Sequence, residues 1–195
     1  MFTLLFVAFL LADVLLRFWL ASRQIRHVRL HRDQVPEAFA ARIGLRSHQR
    51  AADYTVAKMR LGMVERLVEA AVLVGFTLLG GLQVLDLWFG RLFENDMLRQ
   101  LALIGAVFAI MGLIGLPFAY YNKFRLEQRF GFNRMTPRLF AADCIKTLAL
   151  SLAFGTPLAA AVLWIMGNTG PAWVWWAWGT WVLFNILLIW LFPTV

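Results

Sequence analysis

The sequence predicts an all-α polytopic membrane protein with about five transmembrane helices, and three observations carry that reading. Of 195 residues, 61% are hydrophobic and 15% charged, and mean hydropathy is +0.68. Soluble domains run at about 45–50% apolar and ~25% charged. Apolar runs of roughly twenty residues recur along the chain, each long enough for a ~30 Å hydrocarbon core. These runs are apolar all round, whereas barrel strands would be about ten residues of strict alternation. A soluble domain and a disordered chain are both excluded. The single cysteine, Cys144, excludes a disulfide framework and a Cys-based zinc site.

The first span is residues 2–20. A cleaved signal peptide would need a basic start and a small-residue cleavage site. Here nothing basic precedes Phe2, and Arg23, Arg26, Arg29 and Arg32 follow at once, so a retained anchor is expected. The remaining spans are 68–89, 98–121, 145–166 and 171–192. Pro117 and Pro157 fall inside spans, where neighbouring helices can satisfy the freed carbonyls. Pro171 behind Gly170 suits a first helical position. Six of nine Trp lie between Trp173 and Trp190, and those at the start of the fifth span read as an interfacial belt.

Charge orients the chain. Segment 21–67 carries ten Lys/Arg against four Asp/Glu, and segment 122–144 carries five against two. Segment 90–97 holds only Arg91, Glu94 and Asp96, and 167–170 holds no charge. Basic segments stay cytoplasmic, so 21–67 and 122–144 are cytoplasmic, the N-terminus is outside and the C-terminus is cytoplasmic. The net charge of +8 is thereby accounted for by topology and acidic headgroups; no nucleic-acid partner is expected.

Ala51, Tyr54, Ala57, Leu61, Val64 and Leu67 repeat at helical spacing, with Ser47 as a plausible N-cap. One continuous helix from about Ser47 to about Trp88, roughly 60 Å long, is expected. Its cytoplasmic stripe needs a partner, and nothing in the first 46 residues looks large enough to be one. In 122–144, Gly131 and Asn133 suit a turn, while Thr136 and Pro137 read as N-cap and first helical residue. Phe124, Phe130 and Phe132 alternate with basic residues, as in a segment lying in the headgroup layer.

Chemistry-bearing patterns are sparse. His27 and His31 lie four apart, but a zinc site needs three or four ligands, and surface histidines are the better reading. HExxH, GxSxG and phosphate-binding glycine loops are absent, so no catalytic or metal residue is assigned. Intramembrane polar groups are costly: Asp13 and Arg17 sit four apart in span one, Glu65 and Glu69 share a face at the mouth of span two, and Asn185 lies deep in span five. A polar interior and plain helix–helix hydrogen bonding both account for them.

The stretch Phe124–Lys146, FRLEQRFGFNRMTPRLFAADCIK, resembles a segment of the CAAX prenyl protease type 1 family of integral membrane zinc metallopeptidases, approximately F-x-I-E-x-[RK]-[FH]-G-F-N-[RK]-x-T followed by F-x-x-D-x-[IL]-K. The matching positions include Glu127, Arg129, Gly131, Phe132, Asn133, Arg134, Thr136, Asp143 and Lys146; Leu126 stands where Ile is commoner. Arg23-Gln24 and the run Ala52–Lys58 also resemble the family's first cytoplasmic segment, and Pro193 falls where its post-fifth-span segment begins. The resemblance implies seven spans around a chamber, with zinc held by HExxH and a further Glu located after span five, and the HExxH Glu activating a metal-bound water. This chain would then be the N-terminal membrane domain, inactive alone and without cofactor, with zinc in the full-length protein. Its partners would be the bilayer, the C-terminal catalytic domain and a membrane-associated or lipidated protein substrate. A bacterial member implies the inner membrane, a eukaryotic one the endoplasmic reticulum. The alternative is a stand-alone five-span scaffold or regulator. A small transporter lacks the repeat or broken-helix pair expected of one.

Overall fold

A computed structural model describes residues 1–191 of the chain, and these residues are helical almost throughout. The helices are α1 (Phe2–Leu30), α2 (Glu37–Ala40), α3 (Leu45–Thr77), α4 (Gly81–Leu92), α5 (Asp96–Tyr121), α6 (Pro137–Leu150), α7 (Thr156–Asn168) and α8 (Trp173–Leu191). A π-helical stretch, Asn122–Glu127, prolongs α5, and another, Ser151–Gly155, joins α6 to α7. Such insertions let a long helix change the register of its exposed face without ending. Four continuous helical stretches are long and apolar enough to cross a bilayer: Phe2–Leu30, Asp96–Glu127, Pro137–Asn168 and Gly170–Leu191; the broken pair Leu45–Thr77 and Gly81–Leu92 makes a fifth if it is one span. The end of the fifth predicted span at Phe192, and Pro193, lie outside the described residues.

Contacts divide the chain into two units. One comprises Met1–Gly81 and Ala109–Met135, the other Leu82–Phe108 and the residues from Thr136 on. The core of the first unit lies beyond the apolar runs. Among the described residues its buried side chains are Ile25 on α1, Ala52 and Val56 on α3, and Leu126 in the π-helical stretch. Each large aliphatic chain buried in this way is worth about 1.5–3 kcal/mol. Within the runs no residue of the apolar windows is buried by the chain itself, as befits surfaces that meet lipid or further protein. In the second unit α7 packs along α8 and buries Ile165. There Arg99 lies 3.4 Å from both Asp86 and Asp96, and Asn95 caps α5 by accepting from the N–H groups of Met97 and Leu98.

Three expectations are corrected. The single helix over Ser47–Trp88 is two helices, separated at Leu78–Gly80. Thr77 turns its hydroxyl onto the Leu73 carbonyl at 2.6 Å, which weakens the helix ladder locally. Gly80 then adopts φ +79°, a conformation open to glycine at little cost. Second, Ser47 is not the N-cap: α3 starts at Leu45 behind Gly44, with no side-chain cap. Third, the buried stripe of α3 is centred on Ala52 and Val56, while Ala51, Val64 and Leu67 are exposed. Its partner is the extension of α1 beyond the first span, which supplies Ile25. Pro171 sits in a short 3₁₀ turn, Gly170–Ala172, just ahead of α8.

A Cβ at Gly81 would lie 2.8 Å from the Gly75 carbonyl oxygen, whereas a Cβ at Gly62 meets nothing within 4 Å. Gly81→Ala should therefore lower the thermal unfolding midpoint, at a cost of about 1–3 kcal/mol. Gly62→Ala, inside α3, should raise it by about 0.5–1 kcal/mol. Equal shifts for the two variants in detergent-solubilised protein would contradict the break as described.

Candidate functional site

The first unit brings three chain segments together outside the apolar runs: the end of α1, the first four turns of α3, and the π-helical stretch with the turn after it. The turn is built by the motif residues. Glu127 closes the helix: its carbonyl accepts from the N–H groups of Phe132 at 2.9 Å and Asn133 at 3.3 Å. Its carboxylate holds Lys123 at 3.0 Å through both oxygens, and that side chain is only 12% exposed. Gly131 carries φ +73°, the left-handed conformation that a helix C-terminus of this kind requires. The Asn133 side chain accepts from the Met135 N–H at 2.7 Å. Thr136 then caps α6, its hydroxyl accepting from the Leu139 N–H, with Pro137 at the first helical position.

This turn delivers two aromatic rings to α3. Phe130 and Phe132 both meet Tyr54 edge-on, at centroid distances of 5.6 and 5.0 Å, the geometry aromatic quadrupoles prefer. The segment thus packs on α3, which the headgroup-layer reading of Phe130 and Phe132 had missed. Tyr54 also carries Lys58 5.7 Å from its ring.

Beside Tyr54, Asp53 receives a two-pronged hydrogen bond from Arg32, Nε to Oδ1 at 2.8 Å and Nη2 to Oδ2 at 2.9 Å. This planar fork is the strongest geometry open to an arginine–carboxylate pair. The hydrogen bond from Arg32 holds the Asp53 carboxyl below its ordinary 3.8; Arg129 lowers it further through its charge, while burial opposes both. The same bond raises the Arg32 guanidinium above its usual value. Around the pair lies an open cleft of about 300 Å³, into which Arg29, Arg32, Arg60 and Arg129 bring four guanidinium groups against one carboxylate, Asp53. Phe130 forms part of its wall. On the far side of Arg32, Asp33 accepts from that arginine at 3.0 Å and from Gln49 at 2.7 Å. His48 donates through Nε2 to the His31 carbonyl, and His31 through Nδ1 to the His27 carbonyl, both at 2.9 Å. The histidines therefore fasten the α1–α3 connection.

The remaining candidates are dispersed. Arg129 faces the cleft, whereas Arg134, Asp143 and Lys146 make no ion pair among the described residues. Arg17 forks onto Asp13 at 2.7 and 2.9 Å, with both side chains about half exposed. Glu69 pairs with Arg66 at 2.7 Å, and with Glu65 it lines a small cavity of about 40 Å³ against Met111 and Phe118 of α5. Asn185 donates to the Trp181 carbonyl of its own helix at 2.7 Å. Sequence reasoning placed Tyr54 in the apolar repeat of α3 and Asp53 only within a resembling run, and it did not single out Arg29, Arg32 and Arg60 as one cluster. The helical spacing of Asp53, Ala57 and Arg60 on one face of α3 was the available signal.

The family described as CAAX prenyl protease N-terminal, five membrane helices, matches residues 24–195. A CAAX prenyl protease 1 homolog of Dictyostelium discoideum is 26% identical over 197 residues, covering 96% of this chain and 45% of the relative. A homolog of Oryza sativa subsp. japonica is 34% identical over 102 residues, covering 52% of this chain and 24% of the relative. The crystal structure of S. mikatae Ste24p is similar in fold, with TM-score 0.84 and 24% identity over 95% of this chain and 44% of that one. The chain thus spans less than half the length of these relatives.

Two outcomes are expected of this cluster. Tyr54→Leu keeps an apolar side chain but loses two aromatic pairs, and should lower stability by about 1–3 kcal/mol in thermal unfolding. Asp53→Asn should lower the midpoint at neutral pH. Because the folded carboxyl sits below its ordinary 3.8, its contribution is complete above that value and is lost as pH falls through the folded value. The gap between wild type and Asp53→Asn should therefore close on acidification, and a gap independent of pH would contradict the pair.

Proposed function

The chain belongs to the CAAX prenyl protease N-terminal family, and from that premise we propose that it is the membrane-embedded N-terminal domain of a zinc metalloendopeptidase acting on membrane-associated or lipidated proteins. In this reading its spans form part of an intramembrane chamber wall. The basic segments 21–67 and 122–144 lie on the cytoplasmic side, where the α1–α3 junction supports a downstream catalytic domain. The match over 24–195, against relatives more than twice as long, is the observation that carries the proposal.

The donor set of this chain does not suit zinc. Among the described residues no three His, Cys, Asp or Glu lie together, and His31 and His48 are engaged on backbone carbonyls. A catalytic zinc needs three protein ligands, so hydrolysis is assigned to residues beyond this chain. What the chain itself supplies is placement: the Arg32–Asp53 fork and the Tyr54 aromatic contacts fix the junction from which that domain would be held. The Asp13–Arg17 pair, costly in lipid and half exposed within this chain, is assigned to the chamber side.

An in-frame HExxH encoded beyond Val195, and chelator-sensitive peptide hydrolysis by that longer product, are the expected results. Chelator-sensitive hydrolysis by the 195-residue chain alone would overturn the assignment of chemistry, and a stop codon directly after Val195 would favour the stand-alone scaffold. In the longer product, Asp13→Leu should reduce activity; unchanged fold and activity would remove Asp13 from the chamber.

A further inference from the structure

The cleft between α1, α3 and the turn after the π-helical stretch carries more positive charge than its own carboxylate can balance. Four arginines and one carboxylate line the cleft, and Asp33 pairs with Arg32 from beside it, leaving a formal excess of two charges (4 − 2). Arg32 is committed to Asp53 and Asp33. Arg29, Arg60 and Arg129 form no ion pair and donate no hydrogen bond among the described residues. Like charges gathered in a concavity repel one another and concentrate anions. Three planar forks without a hydrogen-bonded carboxylate, that of Arg129 lying 5.9 Å from the Phe130 ring, form the donor set that oxyanions of phosphorus select.

Position along the helices bears on where such an anion comes from. Arg29 lies nine residues past Leu20, the last residue of the first apolar run, and Arg60 eight residues before Val68, where the second begins. At 1.5 Å per residue these offsets are roughly 12–14 Å. The headgroup layer on each face of a bilayer is only about 5–7 Å deep. The cleft thus opens beyond the lipid phosphates.

We propose that this cleft is a binding site for a phosphate-class oxyanion of at least two negative charges, reached from the aqueous phase. Arg29, Arg60 and Arg129 supply its donors, and Asp53 holds Arg32 at the edge so that the site is shaped without being neutralised. The cleft lies on the junction that the proposed function assigns to supporting a catalytic domain, but its test reads binding and not hydrolysis, so its failure leaves the metallopeptidase reading standing.

The test uses the whole chain in phosphatidylcholine nanodiscs at low salt, titrated with pyrophosphate by calorimetry. Saturable one-to-one binding is expected, weakened about tenfold or more by Arg60→Gln and by Arg129→Gln. Arg138→Gln, outside the cleft, should leave it unchanged, and Arg60→Lys should restore it in part. Unaltered circular dichroism of the variants separates lost binding from lost fold. A parallel arm replaces part of the lipid with phosphatidic acid. If phosphatidic acid leaves pyrophosphate binding by the wild-type chain unchanged, the site is filled from the aqueous phase as proposed; if it competes, a lipid headgroup reaches the cleft and the aqueous placement is overturned. Absence of saturable pyrophosphate binding in both arms, or binding indifferent to both glutamine variants, overturns the proposal. Capture of an acidic peptide in place of pyrophosphate overturns it equally.

Discussion

The first unit depends on one constraint: α1 and α3 continue side by side past the apolar runs and must bury each other's apolar side chains there. Hydrophobic burial presses helices together only where water is the alternative, since lipid tails are as apolar as leucine. The buried positions of this unit, Ile25, Ala52, Val56 and Leu126, all lie on segments outside the apolar runs. The Arg32–Asp53 fork and the Tyr54 aromatic pairs are built around this small core, and the arginine cleft exists because the core brings α1, α3 and the π-helical stretch within reach of one another.

The turn after α5 shows how local residue choices serve that junction. Gly131 allows the chain to reverse, Glu127 receives the two N–H groups exposed by the reversal, and Thr136 with Pro137 starts the next helix. Between these fixed points Phe130 and Phe132 meet Tyr54 of α3 and Arg129 lines the cleft. A short run thereby places an apolar pair and a cation on a helix from which it is distant in sequence.

Much of this was legible in the sequence. Length and uniform apolarity of the runs define the membrane class, and Thr136-Pro137 is a capping signal whose outcome depends only on neighbours. The failures have a shared cause. The extension of α1 carries three arginines in ten residues, so it reads as polar, yet one isoleucine per few turns suffices to seal against Ala52 and Val56. The register of the α3 stripe was misread because alanines at 51, 52 and 57 allow more than one face, and only the partner decides. The Gly80-Gly81 break was hidden by a hydrophobic context that remains apolar on both sides. The Arg32–Asp53 pair joins residues 21 apart, a pairing that tertiary contact creates and periodicity does not encode.

The central claim is that the α1–α3 junction is a packed core outside the apolar runs. Thiol protection tests it most directly. In a Cys144→Ser background, cysteine placed at Ala52 should react with N-ethylmaleimide far more slowly than cysteine placed at Ala51, one residue along the same helix, and heat unfolding should abolish the difference. Equal reactivity at the two positions in the folded protein would contradict the account.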